Sequence, residues 1–588
     1  MTEIAIDHWL TRFDAALQAD DAAGAVALFR PDAAWRDLLA FTWNIVTLEG
    51  PDDIAAMLGD CLTRTAPKGW RRIGPAETDG DRVSAWIAFS TATAQGTGRL
   101  TLRDGLADIL FTATADLTGH EEARGATRPK GIVHRASRTR ETWSEARDRR
   151  RARLGREDQP QVLIIGGGQG GLALAARLKA LEVPALVIEK NPRAGDSWRN
   201  RYRSLVLHDQ VWYDHLPYIP FPAHWPVFTP KDQMGDWLEA YALALDLDIW
   251  TSSSVEKAVW QGDRWTVTVR TPGGLVTVNP VELVFATGVY GPPRVIDWPG
   301  AETFAGTLLH SSAYQDGRTY AGKRAVVVGA ASSAHDVAVD LWEAGSDVTM
   351  IQRSSICVVR SETLMELVFE NYSEAAVARG LDVDRADMLS AATPYSRLAA
   401  EQRAIYDRIR VQDADFYARL AAAGMALDFG EDESGQGMKA LRTASGYYLD
   451  VGASELIATG QIGIIAGQGV ARVVSDGLVL DDGRHVAADV VIACTGYQSM
   501  HRRVAAIVSE TAAEAVGPCW GLGSGVRGDP GPWQGELRNM WKPTAVKNLW
   551  FHGGNLALSR FYSRYVALQL KARMVGLPVK VWPPQRGA

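Results

Sequence analysis

Cysteine is scarce in this chain of 588 residues, and its four cysteines lie far apart in the sequence. They are Cys61, Cys357, Cys494 and Cys519, so no C-x-x-C pair exists to form a redox disulfide or part of a metal site. A long chain with so few cysteines is typical of a reducing compartment. We therefore expect a cytoplasmic protein that has no disulfide framework and binds no metal.

Long apolar runs and an excess of positive charge are missing as well. No apolar run approaches the roughly 18 residues that a membrane helix needs, and the acidic start, Met1–Asp7, has no signal-peptide pattern. The formal net charge of −7 offers no broad surface for neutralising phosphates. We expect neither a membrane nor a nucleic acid as a partner. The chain is too long for one hydrophobic core, so several domains are predicted.

Residues 1–120 are predicted to form a separate α+β unit. Helical periodicity runs from His8 to Leu28 and is interrupted at Asp20 and Asp21. Alternating strand patterns follow at 82–89, 98–102 and 107–112. Helices followed by an antiparallel sheet resemble the cone-shaped nuclear transport factor 2-like fold. Because no convincing His–Asp pair stands out in this unit, we expect it to act as a lid or an oligomer contact.

Residues 121–158 are rich in arginine and poor in large aliphatic side chains. Glu141, Glu145 and Asp148 are interleaved with the arginines at helical spacings, which favours charge pairing along a solvated linker helix. A basic patch for an anionic partner is the alternative. The interleaved acids favour the linker.

A strand, a glycine turn and a helix follow one another after this linker. The apolar run 161–165 enters the turn, and the helical run 172–180 leaves it. Gly166, Gly168 and Gly171 match G-x-G-x-x-G. The first glycine makes the turn, the second admits a pyrophosphate near the backbone, and the third lets the helix pack on the strand.

The second strand of this unit, at 185–188, ends at Glu189. A carboxylate in that place accepts hydrogen bonds from ribose hydroxyls, and the free N–H groups at the helix N-terminus bind phosphates. With strand, turn, helix and acid all present, the spacing predicts a dinucleotide site.

A second unit of the same kind follows, but its turn, Gly329–Ala334, keeps only the first glycine, with Ser332 and Ser333 in its middle. Alanine in the second glycine position narrows the approach of a pyrophosphate to the backbone. The next strand runs into Arg353 and Ser354 rather than an acid, which suits the 2′-phosphate of NADPH. A surface arginine at a strand end is the alternative, so NADH stays open.

The segment between the two units distinguishes oxidoreductase classes. Phe304-Ala-Gly306-Thr-Leu-Leu-His310-Ser-Ser-Ala-Tyr314 fits F-x-G-x-x-x-H-x-x-x-Y. This pattern resembles the fingerprint of flavin-containing monooxygenases, and with two nucleotide units the chain resembles the class B flavin-dependent monooxygenases. The N-terminal extension makes it most similar to the bacterial type II flavin-containing monooxygenases. The segments 202–208 and 216–222 are also similar to plant indole-pyruvate monooxygenases.

The resemblance implies FAD in the first unit and NADPH in the second. The stretch ending at Trp198 is similar to one that runs beside the flavin, so Trp198 is implied to contact FAD. Two further runs resemble the crossings between the FAD and NADPH domains, and a third resembles the last element that contacts FAD. The cofactor-contacting residues implied in these three runs are Thr287, Gly288, Thr495, Gly496 and Asn555.

The resemblance also implies three residues near the chemistry. His208 stands where animal-type relatives have an Asn that contacts the oxygenated flavin, and its imidazole either donates a hydrogen bond there or is structural. Arg360 is implied to lie over the nicotinamide. His310 of the fingerprint either orders the link between the domains or is a buried hinge residue without a chemical step.

The implied reaction inserts one atom of O2 into a small organic substrate through a flavin C4a-(hydro)peroxide and consumes NADPH. Tyr314 stands where Baeyer–Villiger enzymes have Trp, which favours N- or S-oxygenation, whereas the N-terminal extension favours ketone oxidation. The sequence leaves both open. A flavin oxidase or reductase without oxygen insertion is the alternative. A disulfide reductase requires a cysteine pair, and amine or alcohol oxidases lack a second nucleotide unit.

The predicted fold is α/β, with two Rossmann-like domains after the α+β unit and the linker. We expect the first part of the FAD-binding domain at 159–310 and its closing part at 481–588. The NADPH-binding domain is expected at 311–480, with a helical insertion at about 362–428. A homodimer is the expected assembly.

Overall fold

The computed structural model describes residues 2–132, 134–531 and 535–583. Two five-stranded parallel sheets form the centre of the fold, and a six-stranded sheet precedes them in the chain. The prediction of an α/β fold with two parallel sheets is confirmed. None of the helices among these residues is long and apolar enough to cross a membrane.

The N-terminal unit packs helices on a mostly antiparallel sheet. Asp21 caps the second helix by accepting a hydrogen bond from the Gly24 N–H, which explains the predicted break. Its helices are Thr2–Gln18, Ala22–Val26 and Gly50–Thr65. Its strands are Phe29–Leu38, Ile45–Glu49, Lys68–Asp79, Arg82–Ser90, Ala94–Arg103 and Leu106–Leu117, the first and last being parallel neighbours. The nuclear transport factor 2-like identification stays a prediction.

Aromatic side chains fill the interior of this unit. Trp70 stacks on Phe89 with ring centroids 4.2 Å apart, and the Trp35 Nε1–H donates to Thr112 Oγ1 at 2.8 Å. The buried aromatic residues of this core are Trp9, Phe13, Phe29, Trp35, Phe41, Trp70 and Phe89. These aromatic side chains therefore fill the core of the N-terminal unit by close packing.

Among the described residues of the arginine-rich linker, Trp143–Arg153 is the one α-helix, and a 3-10 turn lies at Gly125–Thr127. The predicted helix over 121–158 is therefore too long, because glycine and proline residues interrupt its first half. Arg149 pairs with Glu141 inside the linker at 2.7 Å, as expected from the interleaved charges. Arg150 pairs instead with Asp246 of the following domain, at 2.9 Å, and so fastens the linker to it.

The first parallel sheet contains the strand that leads into the glycine turn. In spatial order its strands are Leu549–Phe551, Glu282–Phe285, Val162–Ile165, Ala185–Ile188 and Ile249–Trp250. The three central strands are almost entirely buried, as expected for a sheet covered on both faces. The helices of this domain are Gln169–Ala180, Asp196–Arg199, Lys231–Ala244 and Leu556–Met574, and an antiparallel sheet is formed by Ser254–Gln261, Arg264–Thr271 and Gly274–Val278.

The second parallel sheet extends beyond the range expected for the NADPH-binding domain. In spatial order its strands are Thr307–His310, Val490–Ala493, Arg324–Val328, Asp347–Gln352 and Gly463–Ala466. Since the first two pair with each other and with the rest of this sheet, its chain begins before 311 and ends after 480. The helix Ser332–Glu343 packs on it, with 3-10 turns at Ala301–Thr303, Ser311–Ala313 and Gly317–Tyr320 and an antiparallel sheet of Val470–Val474, Gly477–Leu480 and His485–Ala487.

Helices occupy the predicted insertion and continue past it to Thr443. They are Ser361–Leu367, Glu374–Ala378, Val383–Ala392, Tyr395–Gln412, Ala414–Ala422 and Gly435–Thr443. A parallel pair of strands, Cys357–Arg360 and Tyr447–Asp450, joins the insertion to the second sheet. The remaining elements are Ala453–Ala458, Arg502–Ile507, Glu510–Val516 and the antiparallel ribbon of Tyr290–Pro293 with Tyr497–Ser499.

Candidate active site

The first glycine turn has the geometry that a dinucleotide requires. Gly166 has φ +111°, and a Cβ there would lie 2.5 Å from the carbonyl oxygen of Ala286. A Cβ on Gly171 would lie 1.9 Å from the carbonyl oxygen of Gly166. At Gly168 the nearest protein atom to such a Cβ is Ser197 Oγ, at 3.4 Å. Gly166 and Gly171 thus permit close packing, whereas Gly168 leaves its backbone open to a pyrophosphate.

Glu189 is buried at the end of the second strand and is held by the turn itself. Its Oε2 accepts a hydrogen bond from the Gly167 N–H at 2.7 Å, and its Oε1 accepts one from the Asn191 N–H at 2.8 Å. Oε1 also accepts from the Asn191 Nδ2–H at 2.7 Å, so the carboxylate is fixed beside the turn and Oε2 keeps a free lone pair. Glu189 can therefore accept one more hydrogen bond, and its contact with a ribose stays a prediction.

Two helix N-termini meet at this turn. A Cβ on Gly170 would lie 3.2 Å from the Cα of Gly553, just before the helix Leu556–Met574. Asn555 caps that helix, because its Oδ1 accepts from the Leu558 N–H at 3.0 Å, and its Nδ2 donates to the Tyr213 hydroxyl at 3.3 Å. Two converging positive helix ends suit the diphosphate of FAD.

Two buried polar atoms in the residues assigned to the flavin have no partner. The Trp198 Nε1–H and the Thr287 hydroxyl make no hydrogen bond within the described part of the chain. Thr287 follows the buried strand Glu282–Phe285, and Gly288 beside it has φ +89°. Buried donors are normally paired, so these orphaned groups fit a cofactor that supplies acceptors. The residues present therefore fit FAD.

The second glycine turn is tighter. A Cβ on Gly329 would lie 2.5 Å from the Cys494 carbonyl oxygen. The Ser332 hydroxyl donates its only proton to the Tyr447 carbonyl oxygen at 3.1 Å. That proton is therefore not available to a cofactor. The carbonyl oxygen of Ser333 accepts from the Cys494 thiol at 3.7 Å, a contact that leaves the Ser333 hydroxyl unused. Ser332 therefore offers its backbone N–H rather than its hydroxyl proton to a phosphate, whereas Ser333 keeps its hydroxyl proton.

Arg353 and Ser354 follow the end of the strand Asp347–Gln352, and both are exposed. Within the described ranges, Arg353 forms no ion pair, so its guanidinium is available to a 2′-phosphate. This arrangement fits NADPH at the second unit.

His310 lies at the crossing between the two sheets. Its Nε2 is 3.0 Å from the Gly496 carbonyl oxygen, and its Nδ1 accepts from the Ser312 N–H at 3.1 Å. Beside it, the Thr495 hydroxyl donates to the Arg294 carbonyl at 2.6 Å. Burial lowers the pKa of His310, although the bond to the Gly496 carbonyl acts to raise it. A neutral ring with its proton on Nε2 satisfies both contacts. The ring is half-buried, and the role of His310 at the link between the domains stays a prediction.

His208 and Arg360 line one cavity of about 800 Å³, whereas His310 is not among its lining residues. His208 Nε2 is 3.3 Å from Asp336 Oδ1, and the Tyr202 hydroxyl donates to Asp336 Oδ2 at 2.6 Å. Burial acts to lower the pKa of His208, but the charge and hydrogen bond of Asp336, together with the charges of Asp209 and Asp450, outweigh it and raise the pKa. Asp336, on the helix of the second glycine turn, thus orients a ring that belongs to the first domain.

Arg360 is fastened to the helical insertion. Its Nη1 is 3.5 Å from Asp413 Oδ1, and its guanidinium lies 5.9 Å from the centre of the Phe416 ring. Asp413 separates the helices Tyr395–Gln412 and Ala414–Ala422. Both contacts of Arg360 are to protein side chains. Its position over a nicotinamide therefore stays a prediction.

The sequence has recognisable relatives. The family model for pyridine nucleotide-disulphide oxidoreductases matches residues 163–368. The chain is 32% identical over 343 residues to indole-3-pyruvate monooxygenase YUCCA1 of Oryza sativa subsp. japonica, an alignment that covers 58% of this chain and 77% of the plant protein. It is 30% identical over 347 residues to the probable indole-3-pyruvate monooxygenase YUCCA7 of Arabidopsis thaliana, with coverage of 57% and 74%. The chain belongs to the class B flavin-dependent monooxygenases.

Solved structures show that this class B monooxygenase shares its fold with other monooxygenases. The closed crystal structure of cyclohexanone monooxygenase matches 71% of this chain and 85% of its own, with a TM-score of 0.51 and 16% identity. Oxidized steroid monooxygenase bound to NADP matches the same shares, with a TM-score of 0.50 and 18% identity. At these identities the likeness concerns the fold alone.

The cysteines of this class B monooxygenase are free thiols. Burial raises the pKa of Cys61 to about 11 and the pKa values of Cys357 and Cys494 to about 12, and it also raises the pKa of Cys519. A thiol with a raised pKa stays protonated and is a poor nucleophile. None of the four cysteines therefore has the low-pKa thiol that the disulphide chemistry named in the matched family would use.

Proposed function

We propose that this chain is an FAD- and NADPH-dependent monooxygenase that transfers one oxygen atom of O2 to a small organic substrate. The observation that carries the proposal is the pair of glycine turns, at Gly166 and Gly329, each at the carboxyl end of a central parallel strand. The crossing at His310 joins them, and the cavity at His208 adjoins both domains.

When bound and reduced by the nicotinamide cofactor, FAD would activate O2 for transfer of one of its oxygen atoms, whereas the protein binds and orients the reactants and excludes water. His208 contributes a fixed donor. Its Nε2 faces Asp336, and its Nδ1 makes no hydrogen bond to a described residue, so the Nδ1–H of the imidazolium can serve a ligand in the cavity. Asp336 acts as its positioning residue.

Both heteroatom oxygenation and Baeyer–Villiger oxidation fall within this proposal. Tyr314, the fingerprint residue that differs from the Baeyer–Villiger pattern, is buried in the second domain, where its hydroxyl donates to Asp340 Oδ2 at 2.6 Å. Asp340 also accepts from the Gly317 N–H at 2.7 Å. Since Tyr314 does not line the cavity, its identity does not select the substrate directly.

Oxygen labelling tests the function. The FAD-loaded protein is supplied with NADPH, ¹⁸O2 and, one at a time, a thioether, an amine and a ketone. We expect at least one compound to accelerate NADPH oxidation and to yield a product that contains one ¹⁸O atom. If hydrogen peroxide equals the NADPH consumed for every compound and no product is labelled, the chain is a flavin oxidase and the proposal is wrong.

Arg353 is expected to select NADPH. Arg353→Ala removes a charge-assisted contact with the 2′-phosphate, which is worth roughly 1.5–3 kcal/mol, so kcat/KM for NADPH falls about 10- to 100-fold while kcat/KM for NADH changes little. Steady-state kinetics with both coenzymes measures this. Arg318→Ala is the matched control, because Arg318 is exposed in the same domain and pairs with Asp316. An equal loss with both coenzymes contradicts the assignment.

A further inference from the structure

The cavity beside His208 has a strongly acidic lining. Seven carboxylic acids contribute to it, against two arginines and His208. The remaining lining is largely apolar and includes Leu205, Phe228 and Phe416. An acidic, partly aromatic cavity differs from the apolar pocket that an uncharged substrate requires.

The cations of this lining are already paired with its own acids. Arg419 lies 2.5 Å from Glu455, Arg360 bonds Asp413, and His208 bonds Asp336. Three further acids, Glu343, Asp415 and Asp450, form no ion pair with a residue that the structure describes. The cavity therefore carries a net negative charge that the protein does not balance.

Two polar atoms in the lining point independently to a ligand. The Ser361 hydroxyl and the Oδ2 of Asp413 have no hydrogen-bond partner among the described residues. Only 7% of Ser361 is exposed, and 2% of the Asp413 side chain. Burying such groups without partners is unfavourable, and both residues line the cavity, so a ligand that donates hydrogen bonds can supply a partner to either of them.

We propose that this cavity binds a ligand carrying a cationic ammonium or guanidinium group. That this ligand is the substrate rests on the proposed function, whereas binding of a cation does not. A protonated nitrogen has no lone pair to accept an oxygen atom, so the cation anchors the substrate and a different atom is oxygenated. Asp413 and the rim acids Glu343 and Asp415 hold the anchor, and Phe416 offers an aromatic face.

The same charge disfavours an anionic substrate. The plant relatives are named for indole-3-pyruvate, which carries a carboxylate at neutral pH. Asp413, Asp415 and Phe416 all come from the helical insertion. The acids of the insertion therefore disfavour, in this cavity, an anion of the kind for which the plant enzymes are named.

Binding of three matched probes tests the inference without turnover. The FAD-loaded full chain is titrated calorimetrically, without NADPH, with 3-phenylpropylamine, 3-phenylpropanol and 3-phenylpropanoate at pH 7 and low salt. We expect the amine to bind about tenfold more tightly than the alcohol, the acid to bind more weakly than either, and the advantage of the amine to shrink as salt screens the charges. Equal affinity for amine and alcohol, or tightest binding of the acid, overturns the inference.

Variants of the rim identify the charges responsible. Glu343→Gln combined with Asp415→Asn removes two exposed, unpaired charges. We expect the affinity for the amine to fall about tenfold, which is near threefold for each charge at roughly 6 Å in water. The affinity for the alcohol should not change. Asp347→Asn, an exposed acid of the same domain outside the cavity, is the control and leaves the affinity unchanged. If the double variant binds the amine with unaltered affinity, the proposal that these acids bind the cationic group is wrong.

The two proposals fail separately. Absence of labelled product with every substrate contradicts the monooxygenase and leaves the probe titration intact. Conversely, a labelled product from an uncharged thioether, together with no preference for the amine, supports the monooxygenase and removes the cation site.

Discussion

Gly171→Ala is expected to lose most of its bound flavin. A Cβ at this position lies 1.9 Å from the carbonyl oxygen of Gly166, far inside the closest approach of such atoms, and both groups belong to the backbone. The helix Gln169–Ala180 must therefore move away from the strand Val162–Ile165 by about 1 Å or more. That movement displaces the N–H groups that face the pyrophosphate. We expect the flavin content, measured as the ratio of visible to ultraviolet absorbance after gel filtration, to fall at least about tenfold.

The control for this variant is a glycine in an open position. Gly59 lies in the helix Gly50–Thr65 of the N-terminal unit, and a Cβ there would meet no atom within 4 Å. Gly59→Ala should keep the full flavin content. Circular dichroism of both variants separates loss of flavin from loss of folding. A yellow Gly171→Ala protein with an unchanged flavin content would contradict the assignment of this turn to FAD.

The sequence predicts this turn well because its requirements are local. Gly166, Gly171 and Glu189 lie on adjacent elements, and the alternation of strand, turn and helix fixes where each one comes. The limits of the second sheet are not local. The strand Thr307–His310 pairs with Val490–Ala493, some 180 residues later, and no pattern in either segment announces its partner.

The chemistry of the cavity depends on such distant contacts. No sequence pattern marks Asp336 as a site residue. The fold places it against Tyr202, which is 134 residues away in the sequence. Asp413 likewise meets Arg360 only through the packing of the insertion. Ser332 shows the converse case, since its place in the turn predicts a cofactor contact while its hydroxyl bonds the Tyr447 carbonyl. A sequence motif specifies backbone geometry more reliably than side-chain partners.

Arg36 fastens the N-terminal unit to the rest of the chain. Its Nε and Nη2 bond the two carboxylate oxygens of Glu536 at 2.7 and 2.8 Å, and its Nη1 donates to the Ala391 carbonyl at 2.6 Å. The guanidinium also lies 4.6 Å from the centre of the Tyr395 ring and contacts the Tyr562 hydroxyl at 3.1 Å. One buried arginine thus connects a strand of the N-terminal sheet with the insertion and the C-terminal helix.

Arg36→Ala is expected to destabilise the protein by about 3–5 kcal/mol, because it leaves the buried carboxylate of Glu536 without its cation. The first transition in thermal unfolding should move down by several degrees. Arg103→Ala is the matched control: its pair with Asp81 is exposed in the same unit and should contribute less than about 1 kcal/mol. If both variants melt alike, the Arg36 contact does not hold the units together.

A double variant separates the buried charge from the lost contact. Arg36→Met with Glu536→Leu removes both charges and keeps apolar volume, so much of the stability should return, as replacement of buried ion pairs by apolar residues is often neutral. Recovery will be incomplete, because the Thr47 hydroxyl donates to Glu536 Oε1 at 2.8 Å and loses that acceptor. Partial recovery shows that the unpaired carboxylate caused the loss in Arg36→Ala. The N-terminal unit is then held by complementary packing of its sheet on the domain of the first parallel sheet, and the ion pair fixes its orientation rather than contributing most of the binding free energy.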